Sequence, residues 1–288
     1  MIYEISNDLL KVSISDVGAE LLSIRSADGR ELLSTADLKA CPGRGSVSFP
    51  FVGKNTIGIY HYNGRAYPAE INGFLHHMKM SPICREQNRI SLFLRADSKT
   101  MAVYPFDFSV TVEYFLDGRT LGVVYKVENL QDDIMYFGLS GRPCLNILSD
   151  TGKSSVFLKF PQAEKTFLYP LTKGYIWDSK VFHPLLAGNM LQLISHISND
   201  ETVIISGTGG EVQIFSPRSC HSITIKYPDM PFFAFRYSCK QDVPFINVEL
   251  CTSLPSNYGI VDELNSKPDL IALAGGETYI NSWDISFT

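Results

Sequence analysis

Glu249 is the residue whose setting points most directly to chemistry. It lies in Pro244-Phe245-Ile246-Asn247-Val248-Glu249-Leu250-Cys251, and no other charge occurs between Asp242 and Asp262. β-Branched and aromatic residues ahead of the turn cluster Thr252 to Asn257 predict a strand. Alternation then puts Ile246, Val248 and Leu250 on one face and Asn247, Glu249 and Cys251 on the other. A carboxylate withdrawn from water must be paired, neutralised or engaged in chemistry. Desolvation would lift its pKa toward the range useful to a general base or acid near neutral pH. The same pattern also suits an edge-strand glutamate turned to solvent, and the residues alone leave both readings open.

Two guanidinium groups sit in turn-rich segments where binding residues collect. Arg44 lies in the loop from Ala40 to Gly53, which carries two prolines and three glycines. Arg142 lies in Ser140-Gly141-Arg142-Pro143-Cys144-Leu145-Asn146, after the apolar run Ile134 to Leu139. Together they would suit a carboxylate or phosphate on a ligand, because guanidinium pairs bidentately with such groups.

These residues must be positioned by strands. The clearest alternation runs from Phe108 to Tyr114, with Phe108, Val110, Val112 and Tyr114 on one face. Asp117-Gly118 predicts a hairpin into Leu121 to Val127, and Asn63-Gly64 predicts another between Ile59 to Tyr62 and Arg65 to Tyr67. Further strands are expected at Leu9 to Ile14, Ala19 to Arg25, Arg89 to Arg95, Thr202 to Ile205, Glu211 to Phe215, Ser222 to Tyr227, Phe232 to Tyr237, Leu270 to Leu273 and Tyr279 to Phe287. Only Leu185 to Ile194 suggests a turn or two of helix. Many short strands separated by turn signals predict an all-β sandwich or barrel. With no repeat, linker or low-complexity tract, residues 1–288 are expected to form one domain.

Composition narrows the function class. Of the 288 residues, 45% are hydrophobic and 19% charged, so a large core is expected and disorder is not. The net charge of −5 argues against nucleic acid or an anionic membrane as the partner. No apolar run approaches the roughly 18 residues of a membrane span, and the first residues lack the pattern of a secretion signal. The six cysteines are scattered, with no Cys-x-x-Cys pair, and are expected to be reduced in a cytoplasmic protein. A zinc site would call for tighter Cys/His grouping.

Several segments in order carry a resemblance: Gly18-Ala19-Glu20-Leu21 with Asp28-Gly29-Arg30-Glu31-Leu32; Phe49-Pro50-Phe51-Val52-Gly53; Asn72-Gly73-Phe74-Leu75-His76; Gly141 to Asn146; and Phe245 to Glu249. The chain resembles the aldose 1-epimerase (galactose mutarotase-like) family, most closely its LacX-type branch. The resemblance runs from about Gly18 to the Gly275-Gly276-Glu277 turn. It implies a large antiparallel β-sandwich of the supersandwich type. It also implies interconversion of the anomers of a free sugar, a small-molecule substrate, without cofactor or metal. A base takes the anomeric hydroxyl proton, an acid protonates the ring oxygen, and the opened sugar recloses on its other face.

Position by position, Glu249 matches the family's base. The family's acid is a histidine before proline, a position held here by Arg142. A guanidinium stays protonated, so it can stabilise negative charge but cannot release a proton. Asn72 replaces a substrate-binding histidine, and His76 stands where the family has an arginine. If the segment is a strand, Asn72, Phe74 and His76 share a face, and His76 is expected to supply the displaced acid. Tyr237-Ser238 matches a Trp-Ser segment at the pocket rim, which would make Tyr237 a platform for the sugar. The alternative is a catalytically degenerate carbohydrate-binding protein on the same fold.

Overall fold

The computed structural model describes residues 1–34, 45–146, 156–193, 202–217, 219–238 and 245–288. Among them, two antiparallel sheets of nine and seven strands dominate. The nine-stranded sheet is built around the expected hairpin, Phe108–Asp117 against Thr120–Asn129, closed at Gly118 with φ +55°. A two-residue turn with positive φ matches the right-handed twist of the strands it joins. Phe108, Val110, Val112 and Tyr114 are all buried, as are Val123 and Tyr125 on the partner strand and Trp283 and Ile285 on Thr278–Phe287 beyond it.

The seven-stranded sheet runs in the order Val181–Phe182, Phe167–Tyr169, Val203–Ser206, Phe232–Ser238, Phe245–Cys251, Ser140–Asn146 and Gly45–Ser48. Leu145, Phe233, Phe235, Ile246, Val248 and Leu250 join the hairpin residues in one continuous core. The architecture is therefore an all-β sandwich, and its inner layer is the apolar face that alternation assigns to each strand. The Phe245–Cys251 strand lies inside the sheet, paired on both sides, which excludes the edge-strand reading of Glu249.

Most expected strands appear within a residue or two of their expected ends. The helix expected at Leu185 to Ile194 does not form over its described residues, 185–193. Gly188 and Asn189 take φ of +76° and +57°, which ends any helical turn, and Met190–Leu193 pairs as a strand with Val156–Lys159. The only α-helix among the described residues is Ser98–Val103, closed at its start by an Asp97–Thr100 capping box. The cysteines also differ from expectation: Cys144 is disulfide-bonded, while Cys84, Cys220 and Cys251 carry free thiols. No described helix is long and apolar enough to cross a membrane.

One close approach ties this core to Arg142. Trp283 Nε1 donates to the Tyr125 hydroxyl at 2.9 Å, and a Cβ added to Gly141 would sit 2.6 Å from both atoms. The glycine lets the strand carrying Ser140 and Arg142 lie flat on the opposite sheet. Gly141→Ala is expected to destabilise the fold by about 1–3 kcal/mol through overpacking. A urea midpoint equal to that of the unmodified chain would show that this contact has room to spare.

Candidate active site

The seven-stranded sheet has two chemically different faces. Register puts Ala234 opposite Glu249, Arg236 opposite Asn247 and Phe232 opposite Cys251. On the other flank, Gly141 pairs with Leu250 and Cys144 with Asn247, which brings Arg142 directly across from Glu249. Ser46 and Ser48 continue these rows opposite Arg142 and Ser140. One face is thus apolar and packed into the sandwich. The other gathers serine, asparagine, arginine and glutamate on four neighbouring strands. Each polar residue falls there because its neighbours in sequence are committed to the core.

Arg142 Nε stands 3.2 Å from Glu249 Oε1, with the two side chains only 16% and 14% exposed. The contact is a charge pair rather than an aligned hydrogen bond, since the Nε–H finds no acceptor in good geometry. Ser140 Oγ donates to the same oxygen at 3.0 Å. Oε1 is therefore held by two groups, while Oε2 has no hydrogen-bond or ion-pair partner among the described residues. Asn247 Oδ1, two residues earlier on the same face, is buried without a hydrogen-bond partner. Burial pushes the Cys251 thiol well up, and the Glu249 charge adds to that, so Cys251 stays a neutral wall.

His76 approaches from a different element. The segment expected as a strand is a turn followed by a 3-10 helix over Leu75–His77. Asn72 and Gly73 both take left-handed backbone, φ +64° and +68°, so two-residue parity does not apply. His76 nonetheless lies close enough to Arg142 to feel its charge. Its pKa is lowered first by burial, then by His77, with Glu70 opposing and Arg142 adding to the effect. Asn72 serves to brace the turn. Its Oδ1 accepts from the Gly53 N–H at 2.8 Å, and its own N–H donates to the Gly53 carbonyl at 2.9 Å. Only its side-chain NH2 is left to face a ligand.

The structure therefore pairs Glu249 with Arg142 and places His76 within range of the Arg142 charge, but it does not bring Tyr237 to them. Tyr237 pairs with Ile246 and belongs to the core, on the face away from Glu249. Its neighbour Arg236 is on the Glu249 face, with its guanidinium 5.9 Å from the Phe245 ring. Sequence reasoning missed Arg236, although a single charge in Phe233-Ala234-Phe235-Arg236-Tyr237 alternates with aromatic core residues and so signals the opposite face. Arg44 lies outside the described residues. A cavity of about 560 Å³ opens further along the same face, lined in part by Tyr169, Phe232, Thr252, Asn257 and Asp262. Glu249, Arg142 and His76 do not line it. Ile204, Ala234 and Cys251 form an apolar cluster with Val52 and Ile176 next to that cavity.

Comparisons with known proteins agree with this fold. The family model described as aldose 1-epimerase matches residues 1–167, more than half of the chain. The chain is 23% identical to protein LacX (chromosomal) of Lactococcus lactis subsp. lactis, over 99% of both sequences. Among solved structures, a galactose mutarotase-like protein from Lactobacillus casei superposes with a TM-score of 0.93 at 23% identity, covering 100% of both chains. A galactose mutarotase related enzyme from Lactobacillus acidophilus gives 0.92 at 23% identity, over 100% of this chain and 97% of that one. The chain belongs to the aldose 1-epimerase family. That membership supports a sugar epimerase or a related function on a small sugar.

Removing one partner of the Arg142–Glu249 pair leaves the other charge largely out of water. Arg142→Met is expected to destabilise the protein by about 1–3 kcal/mol, and the double variant with Glu249→Gln by less than the sum of the two single changes. Urea denaturation of the four proteins checks this. Strict additivity would mean that the two groups do not interact.

Proposed function

We propose that the chain interconverts the anomers of a free sugar or sugar derivative, with Glu249 as the base. The observation that carries this reading is the state of that carboxylate. Arg142 and Ser140 hold Oε1, and among the described residues nothing occupies the lone pairs of Oε2 on this polar face. In the proposed reaction, Oε2 takes the proton of the anomeric hydroxyl as the bond between C1 and the ring oxygen breaks. The hydroxyl oxygen becomes the carbonyl, and the ring oxygen takes a proton from His76. Rotation about C1–C2 presents the other carbonyl face. Reclosure returns the ring-oxygen proton to His76, while Glu249 gives its proton back to the carbonyl oxygen.

Arg142 acts differently from the residue the family places there. It cannot donate a proton, but it can stabilise negative charge developing on oxygen while fixing the carboxylate. His76 fits the acid role in one respect. A pKa lowered by burial makes the imidazolium a stronger acid, though a scarcer one at neutral pH. The Asn72 NH2 and the Arg236 guanidinium are suited to hold sugar hydroxyls or an anionic substituent, and Arg44 remains an expected ligand of the same substituent. A second reading has its own support. Arg142 in the position of a proton donor favours a protein that binds sugar without turning it over.

Polarimetry on common aldoses and sugar acids separates the two readings. Glu249→Gln is expected to lower mutarotation by about 10²–10⁴-fold, the range that general acid–base groups contribute. His76→Ala is expected to lose activity in the same range. Full activity in His76→Ala would remove it as the acid. Calorimetric binding of sugar with no anomer exchange above the spontaneous rate would establish the binding protein.

A further inference from the structure

We propose that Glu70, His76 and His77 form a binding site for a divalent transition-metal ion of the zinc class, at the margin of the Glu249 face. One carboxylate oxygen and one ring nitrogen of each histidine all lie within 4.8 Å of one another. His77 Nδ1 is 3.4 Å from Glu70 Oε2. The two imidazole rings are 4.9 Å apart and nearly perpendicular, at 84°. Donors bound to zinc at about 2.0–2.2 Å in tetrahedral geometry stand about 3.4 Å from one another. Side-chain rotation of an ångström or so brings these three to that spacing.

The backbone under the donors is already fixed. The Gly73 N–H donates to the Glu70 carbonyl at 3.0 Å, which folds Glu70 back beside His77. The Phe74 and Leu75 N–H groups both donate to the Phe49 carbonyl, and the Gly18 N–H donates to the Met78 carbonyl at the other end of the turn. Gly73 is required at φ +68°, where an added Cβ would fall 2.1 Å from the Phe49 oxygen. Ligands on a backbone ordered in advance lose little conformational entropy when an ion arrives.

The donor set decides the class of ion. Two imidazoles and one carboxylate suit zinc, copper, nickel or iron, whereas calcium and magnesium require mostly oxygen ligands. Three protein donors leave a coordination position open, the arrangement of a site accessible from solvent. A plain Glu70–His77 ion pair would account for two of the three groups but not for the third donor beside them. His76 also keeps a buried Nδ1 with no well-aligned hydrogen-bond partner, although its ring interacts with the Gly73 backbone. The positive charge of Arg142 acts against a nearby cation, but Glu249 offsets it at 3.2 Å. This inference does not depend on Glu249 acting as a base.

Cobalt(II) titration of the full chain, followed by visible absorption, with zinc(II) competition and calorimetry, tests the site. One equivalent of cobalt is expected to give d–d bands without a thiolate charge-transfer band, because no cysteine is among the ligands. Glu70→Gln and His77→Ala, both at exposed positions, are each expected to weaken zinc binding by about tenfold or more. Alkylation of the free thiols is expected to leave it unchanged. Stoichiometric binding that persists in both variants, binding abolished by alkylation, or no binding at one equivalent would each overturn the proposal.

Discussion

The site depends on a register. Ile246, Val248 and Leu250 are buried in the sandwich, and so are Phe233 and Phe235 on one neighbouring strand and Leu145 on the other. A slip of one residue on any of these strands would drive a charge into the core and put an apolar side chain in its place on the outer face. That penalty fixes the pairing, and the pairing sets Arg142 across from Glu249 and Arg236 across from Asn247. The hydrophobic core thus specifies the geometry of a polar site that it never touches. Gly141 shows how tightly the two are linked, with Ser140 and Arg142 on one face of its strand and the Trp283–Tyr125 hydrogen bond against the other.

Much of this architecture is legible in the residues. The Phe108 to Tyr114 alternation, the Asp117-Gly118 and Asn63-Gly64 turns, and the parity of Phe245 to Cys251 each rest on local rules that the tertiary structure does not override. The failures have local causes as well. Leu185, Leu186, Met190, Leu191 and Leu193 have helix-like spacing, but Gly188-Asn189 supplies left-handed backbone that turns the spacing into a hairpin-like return. Asn72-Gly73 does the same to the segment before His76, so the parity argument that put Asn72 and His76 on one face used the wrong element. His76 still comes within range of the Arg142 charge, because the turn carries it there by a route that no strand pattern encodes.

Pairing partners across the sheet are the part a single sequence does not display. Arg142 and Glu249 are separated by more than a hundred residues, and Ser140 donates to Glu249 across the same span. The resemblance to the family supplied Glu249 and the position of Arg142, but it also pointed to Tyr237, whose ring belongs to the core. Parity on the Phe232–Ser238 strand, once it is known to pair with the Glu249 strand, selects Arg236 instead. Family position and strand parity are independent sources of information. For Tyr237 they differ, and parity follows from which face of the strand the core has claimed.

The replacement of a proton donor by Arg142 changes what the rest of the site must do. A guanidinium beside the carboxylate supplies fixed positive charge and a rigid fork of donors, but no exchangeable proton. In the proposed reaction any proton delivered to a ring oxygen has to come from another group, and among the described residues His76 is the imidazole whose proton affinity responds to the Arg142 charge. The same imidazole is one of three donors converging with Glu70 and His77. A ring nitrogen that holds a metal ion cannot also carry the proton in transit. If both properties belong to this protein, they compete for one side chain, and the ion would act as an inhibitor of ring opening rather than as its cofactor. Metal sensitivity would then follow from where the displaced histidine came to rest, at the one turn that Phe49, Gly18 and Gly73 hold in place.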